Sequence, residues 1–199
     1  MHDQTEFPIG CVVMAAGNAR RFGENKLSAQ IGGKTLLEHA LEAVPRDRLS
    51  AVAVVTQYPE AADMASAFGF SPIRNDHPER GISHTIRLGT QALSSCGAIL
   101  YQVADQPLLR RESVAALVDF YRRHPDHIVA MSHGGVRGNP CLFPAEFFPE
   151  LQELTGDTGG SAVIRRHPDR LLLFEVPEQE LADVDTPAAL EQLNHILEK

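Results

Sequence analysis

At 199 residues, with 43% hydrophobic and 22% charged side chains, the chain is long enough to bury about 70% of its unfolded surface around one core. A formal net charge of −8 argues against non-specific nucleic-acid binding, and no apolar run approaches the ~20 residues that cross a bilayer. Three widely spaced cysteines (Cys11, Cys96, Cys141) with no CxxC pair speak against a disulfide framework or structural zinc site. They read as buried free thiols. With an acidic, polar start (Met1 to Glu6) that lacks a signal-peptide pattern, the expected location is cytoplasmic.

In chain order, the first element is an apolar run over 10–15 that stops at Gly17. Further apolar runs at 51–56, 98–104, 128–132 and 171–176 are rich in Val, Ile and Leu without clear alternation, the pattern of strands covered on both faces. Between them lie helical patterns. Thr35 with Glu38 forms a capping-box signature ahead of Leu37, Ala40, Leu41 and Val44. A second helix follows Ser83 and carries Ile86, Thr90 and Leu93. A third spans 112–123 with Val114, Leu117, Val118 and Tyr121 inward. The last places Thr186 as N-cap and Pro187 at the first helical position, ahead of Leu190, Leu193 and Ile196. Such alternation predicts a single parallel-rich α/β domain over 1–199. Segment 132–144 and the patch 155–160 are Gly- and Pro-rich and read as long loops. In a doubly wound sheet ligands sit beyond the carboxyl ends of the strands, so the loops after Ala15, Ala104 and Ser132 could converge on one site.

The loop after the first strand carries Arg20, Arg21, Gly23 and Lys26. Glycines let the backbone approach phosphate oxygens, and Arg and Lys neutralise charge at separated points. Residue types alone leave a solvated surface loop equally open. No G-x-G-x-x-G follows a strand, which disfavours a dinucleotide-binding oxidoreductase. Gly33-Lys34-Thr35 looks like the tail of a phosphate-binding P-loop, but Ser28 stands where that motif needs its first glycine. Asp105, at the end of a strand and before Gln106-Pro107, is placed either to hold Mg²⁺ or to cap a turn. Asp183 and Asp185 share one side of an extended segment and could present a metal or cap the next helix. The nine histidines form no ligand cluster; His84 and His133 could line a pocket.

The series Ala15-Ala16-Gly17-x-x-x-Arg21-x-Gly23-x-x-Lys26 resembles the signature loop of nucleotidyltransferases that activate sugars, isoprenoid precursors and molybdopterin. Ala104-Asp105-Gln106-Pro107 is similar to that superfamily's Gly/Ala-Asp-Met/Gln-Pro segment, and 182–187 to its Asp-Ile-Asp-Thr-Pro run. Segment 75–85 resembles Asn-Pro-x-x-x-x-Gly-x-x-x-Ser, with Asp76 in place of the proline. Gly138-Asn139-Pro140 resembles Gly-His-Pro, with Asn in place of His, and Gly156-Asp157-x-Gly159 matches a further segment. On these motifs the chain resembles the MobA-like superfamily, and within it the molybdopterin cytidylyltransferases.

The resemblance implies a Rossmann-like three-layer α/β sandwich with a mostly parallel mixed sheet. It implies cytidylyl transfer from CTP to molybdopterin with release of pyrophosphate. Arg21 and Lys26 would hold the triphosphate, and Ala15, Ala16, Gly17, Gly81, Ser83 and Thr85 would surround the nucleotide. Asp105 and Asp185 would hold Mg²⁺, and Gly138, Asn139, Pro140, Gly156 and Asp157 would approach the acceptor. A molybdenum hydroxylase would receive the product; neither nucleic acid nor membrane is an expected partner. Guanylyl relatives usually carry Gly-Gly where this chain has Ala16-Gly17, which favours CTP. Other readings are a guanylyltransferase, transfer to a non-pterin acceptor, and a cofactor-binding maturation factor without transferase activity. Lys26, Asp105 and Asp185 argue against the last, since a binding module has no need of metal carboxylates.

Overall fold

The computed structural model describes residues 8–17 and 25–197. Its nine strands, in chain order, are β1 (Ile9–Ala15), β2 (Gln30–Ile31), β3 (Lys34–Thr35), β4 (Ala51–Thr56), β5 (Ser71–Arg74), β6 (Ala98–Val103), β7 (Ile128–His133), β8 (Val136–Pro144) and β9 (Leu171–Glu175). The α-helices are α1 (Leu36–Glu42), α2 (Pro59–Ala67), α3 (Ile82–Ala92), α4 (Arg111–Arg122), α5 (Phe148–Gln152), α6 (Ser161–Arg166) and α7 (Pro187–Leu197). Seven strands form one sheet in the order β5-β4-β1-β6-β8-β7-β9, while β2 and β3 make a separate hairpin. Strand β1 runs parallel to β4 and β6, β9 runs parallel to β7, and β8 is antiparallel to both its neighbours. The chain leaves β1 toward β4 and returns to the other side of β1 as β6. That makes the carboxyl ends of β1 and β6 the switch point at which such sheets bind ligands.

Alternation along the strands divides the core into two layers. Cys11 and Val13 of β1, Val54, Leu100 and Met131 pack with Leu37 and Leu41 of α1 and Leu117 and Val118 of α4. Val12, Val55, Ile99 and Phe143 face the opposite way, toward Ile86 of α3, Leu151 of α5 and Val163 and Ile164 of α6. The approach of α3 to the sheet is close: a Cβ at Gly89 would stand 2.5 Å from Val12 Cγ1. The α1 capping box forms as its sequence predicts, with Thr35 Oγ1 accepting from Glu38 N and the Glu38 carboxylate from Thr35 N. All three cysteines are buried and free, and burial pushes the Cys141 thiol up to about 11. Gly32 and Gly33 form the turn of the β2–β3 hairpin at positive φ, and Lys34 pairs with Glu42 at 2.6 Å. The P-loop-like triplet is thus a hairpin turn. No described helix is long and apolar enough to cross a membrane.

One part of the sequence reading is corrected. Residues 136–144, expected as loop, form the interior strand β8. Its register against β7 shifts between Ala130 and Ser132, and this irregularity accommodates Gly138, Asn139 and Pro140, where proline cannot donate to a ladder. Strand β5, an edge strand containing Pro72, and helices α2, α5 and α6 also carried no clear periodic signal. Position 196 is in α7, but its side chain lies outside the described set.

A buried carboxylate fastens α4 to the segment that precedes α7. Glu180 is 1% exposed, and its oxygens accept from Arg110 N (3.1 Å), Arg110 Nε (2.9 Å) and Ser113 Oγ (3.0 Å). Removing it leaves the part-buried Arg110 N–H and Ser113 hydroxyl at the start of α4 without this acceptor, and the exposed Arg110 guanidinium without its partner. Glu180→Ala is therefore expected to cost about 3 kcal/mol, or roughly 6–12 °C in Tm at this chain length. Calorimetry would check this; a loss below about 0.5 kcal/mol would place Glu180 with ordinary surface ion pairs.

Candidate active site

The carboxyl ends of β1 and β6 open onto a cleft of about 400 Å³ lined by Ala15, Ala16, Gly17, Lys26, Gly81, Thr85, Asp105 and Asp157 among others. Segments far apart in sequence thus meet at one point. The chain turns out of β1 at Ala16 and Gly17, whose carbonyls accept from Gln57 Nε2 (2.9 Å) and Tyr58 Oη (3.2 Å). Gln57 and Tyr58 follow β4 directly, so the end of a neighbouring strand fixes the start of the glycine loop. Arg20, Arg21 and Gly23 lie outside the described residues.

Lys26 returns to the cleft on a single 3-10 turn, Lys26–Ser28, capped by Asn25 Oδ1. Its ammonium donates to Asp105 Oδ2 at 2.7 Å, to the Val184 carbonyl at 3.2 Å and to Asp185 Oδ1 at 3.3 Å. Burial alone would lower the Lys26 pKa, but the charge and hydrogen bond of Asp105, with those of Asp185, more than offset it and hold the ammonium above its usual range. Segment 181–185 is fastened to the β6 end: Val184 N donates to the Asp105 carbonyl at 2.9 Å, and Gln106 Nε2 to Asp183 Oδ1 at 2.9 Å. Removal from water and the nearby Asp105 charge raise the Asp183 carboxyl above the normal carboxylate range. Thr186 Oγ1 then accepts from Ala189 N in the first turn of α7, the cap read from the sequence.

One cation, the Lys26 ammonium, already bridges Asp105 and Asp185, so a second carboxylate is within reach of any cation held by the first. Among the described residues no group of three His, Cys, Asp or Glu could enclose a metal. Two carboxylates at an open cleft fit Mg²⁺, which keeps several waters and takes the rest of its shell from substrate phosphates.

The opposite wall is built by 75–85 and 155–160. Asn75, 2% exposed, donates to Thr85 Oγ1 at 3.2 Å and accepts from His77 N at 3.0 Å, shaping the turn that leads to Gly81. Gly81 adopts φ +80°, and a Cβ there would lie 2.5 Å from the Gly156 carbonyl carbon; Ser83 N donates to the Gly156 carbonyl at 3.2 Å. Glycine is required here on both counts. Ser83 is buried and, unlike Gly81 and Thr85, does not line the cleft. Of the acceptor-side candidates, Asp157 lines the main cleft and Asn139 an adjoining cavity of about 100 Å³, whereas Gly138, Pro140 and Gly156 line neither. His84 and His133 do not reach the cleft: the His84 ring stands edge-on to His77, and His133 Nδ1 meets the Val176 carbonyl at 3.0 Å. Sequence reasoning missed Gln57 and Tyr58, although the strand-end rule that selected Gly17 and Asp105 applies equally to them.

The model of the family described as MobA-like NTP transferase domain matches residues 11–171. The chain is 28% identical over 189 residues to the purine catabolism protein PucB of Bacillus subtilis (strain 168), covering 88% of this chain and 91% of that one. It is 28% identical over 145 residues to a probable molybdenum cofactor guanylyltransferase of the same strain, covering 71% and 70%. Its fold matches the crystal structure of Rv0371c from Mycobacterium tuberculosis H37Rv with a TM-score of 0.79 at 23% identity, covering 95% and 98%.

Proposed function

Because this chain belongs to the MobA-like NTP transferase family, we propose that it transfers the cytidylyl group of CTP to the terminal phosphate of molybdopterin and releases pyrophosphate. Nucleotidyl transfer follows from the family; the base and the acceptor are our reading. The observation that supports it most is the convergence of Lys26, Asp105 and Asp185 at the β1/β6 switch point. An oxygen of the acceptor phosphate attacks the α-phosphorus, and the bond to the β-phosphate's bridging oxygen breaks. The electron pair leaves with pyrophosphate. Little proton chemistry is asked of the protein, so positioning and charge compensation dominate.

In this reading Arg21 and Lys26 hold the triphosphate, with the N–H groups around Ala15, Ala16 and Gly17 close to its oxygens. Gly81, Ser83 and Thr85 shape the nucleoside side. Asp105 and Asp185 would hold Mg²⁺, and the chemistry supplied there is screening between phosphate oxygens. The product would pass to a molybdenum hydroxylase.

The relative named as a guanylyltransferase gives the competing reading specific support. The bases decide between them. With Mg²⁺ and molybdopterin, pyrophosphate release is expected to favour CTP over GTP by at least about tenfold in kcat/KM, roughly 1.4 kcal/mol and within reach of one or two hydrogen bonds. Ala16→Gly should erode that preference while retaining activity. Equal rates with CTP and GTP would overturn the cytidylyl assignment.

A further inference from the structure

Beside the main cleft, and sharing Met14, Ile82 and Val103 with it, lies the smaller cavity of about 100 Å³. Its walls are apolar: Ile86, Leu151, and the rings of Tyr101 and Phe143, which meet edge-to-face at 5.8 Å. The Tyr101 hydroxyl is already engaged with Thr90 Oγ1 at 2.7 Å and adds no free polar group. Polarity comes from Arg137, Asn139 and Ser161. Arg137 is half-buried, and its Nη2 donates to Ser161 Oγ at 2.9 Å. Among the described residues no carboxylate pairs with it, although acidic groups outnumber basic ones in this chain. A partly desolvated guanidinium without a counter-ion, held by a neutral hydroxyl at a cavity that opens on the reaction cleft, is suited to bind an oxygen-rich ligand edge.

We propose that Arg137 is the specificity-determining residue of the acceptor: it binds a carbonyl or carboxylate oxygen on the rim of a flat heterocycle whose ring enters this cavity. The inference rests on the transferase reading and refines its acceptor. The small volume and the apolar faces of Ile86, Leu151 and Phe143 suit the edge of a flat ring system. A polyhydroxylated sugar would leave hydroxyls unpaired against Ile86, Leu151 and Phe143, which is costly. Ser161, at the first position of α6, keeps the guanidinium oriented, and Asn139 supplies a neutral amide beside it.

Pterin-6-carboxylate and ribose 5-phosphate, each titrated calorimetrically into the CTP-loaded full chain, test this. Wild type is expected to bind the pterin. Arg137→Gln should weaken that binding at least tenfold, Arg137→Lys should recover part of it, and Ser161→Ala should weaken it less, while CTP affinity and Tm stay put. In turnover, Arg137→Gln should raise the acceptor KM more than it lowers kcat. Unchanged pterin binding in Arg137→Gln, or ribose 5-phosphate bound as tightly and lost in parallel, would overturn the proposal. Failure of wild type to turn over any NTP, with Arg137-dependent pterin binding intact, would sink the transferase reading and leave this subsite standing. Normal transfer with an acceptor KM indifferent to Arg137 would do the reverse.

Discussion

Lys26→Ala is expected to lower turnover by roughly 10²–10³-fold, the loss typical of removing one donor to developing negative charge. Its ammonium contacts Asp105, Asp185 and the Val184 carbonyl at once, so truncation also leaves two carboxylates facing each other without a cation. The effect should fall on kcat at saturating CTP, with Lys26→Arg recovering only part because a planar fork cannot reproduce three contacts made by one point charge. The raised Lys26 pKa fixes the sign of the pH dependence: a folded value above the unfolded one adds stability below the ordinary lysine range. That contribution disappears as pH rises through the folded value. Near wild-type kcat in Lys26→Ala would make this a structural lysine.

Asp105→Asn is expected to abolish transfer, with a loss of at least about 10³-fold, because it removes the carboxylate that both compensates Lys26 and is the better sheltered of the two proposed metal ligands. The amide keeps the shape of the side chain, and Lys26 retains Asp185 and the Val184 carbonyl, so Tm should move by only a few degrees. Paramagnetic resonance of Mn²⁺ added with CTP gives a second readout: affinity should fall in Asp105→Asn, and less in Asp185→Asn, whose carboxylate is more exposed. A large loss of stability with metal binding intact would instead make Asp105 a cap for its turn.

What could be read from the sequence was local. The apolar runs of β1, β4 and β6 and the Thr35–Glu38 box each encode their element within a few residues. Strand β8 was hidden because Gly138, Asn139 and Pro140 are turn signals, overridden by partners on both sides. Lys26 and Asp105 were recognisable by type and by place at strand ends. Their direct pairing, across 79 positions, was not. Glu180 and Arg137 gave no warning at all, since a charged residue's burial depends entirely on what the rest of the chain packs around it.

The reversal of β8 carries a consequence for how this scaffold diversifies. Cys141 pairs with Tyr101, so the residues before it run alongside the outgoing end of β6 and present a strand's amino end, rather than a loop, to the ligand edge. Arg137 is itself in register with Ser132 of β7. A one-residue insertion there would slip the register and turn alternate side chains to the wrong face. Segment 75–81, on the nucleotide side, lies outside the strands and α-helices, where changes of length are tolerated as long as the Gly81–Gly156 approach is kept. Acceptor choice in such a molecule can evolve by substitution in place, while the nucleotide side is free to evolve by insertion and deletion.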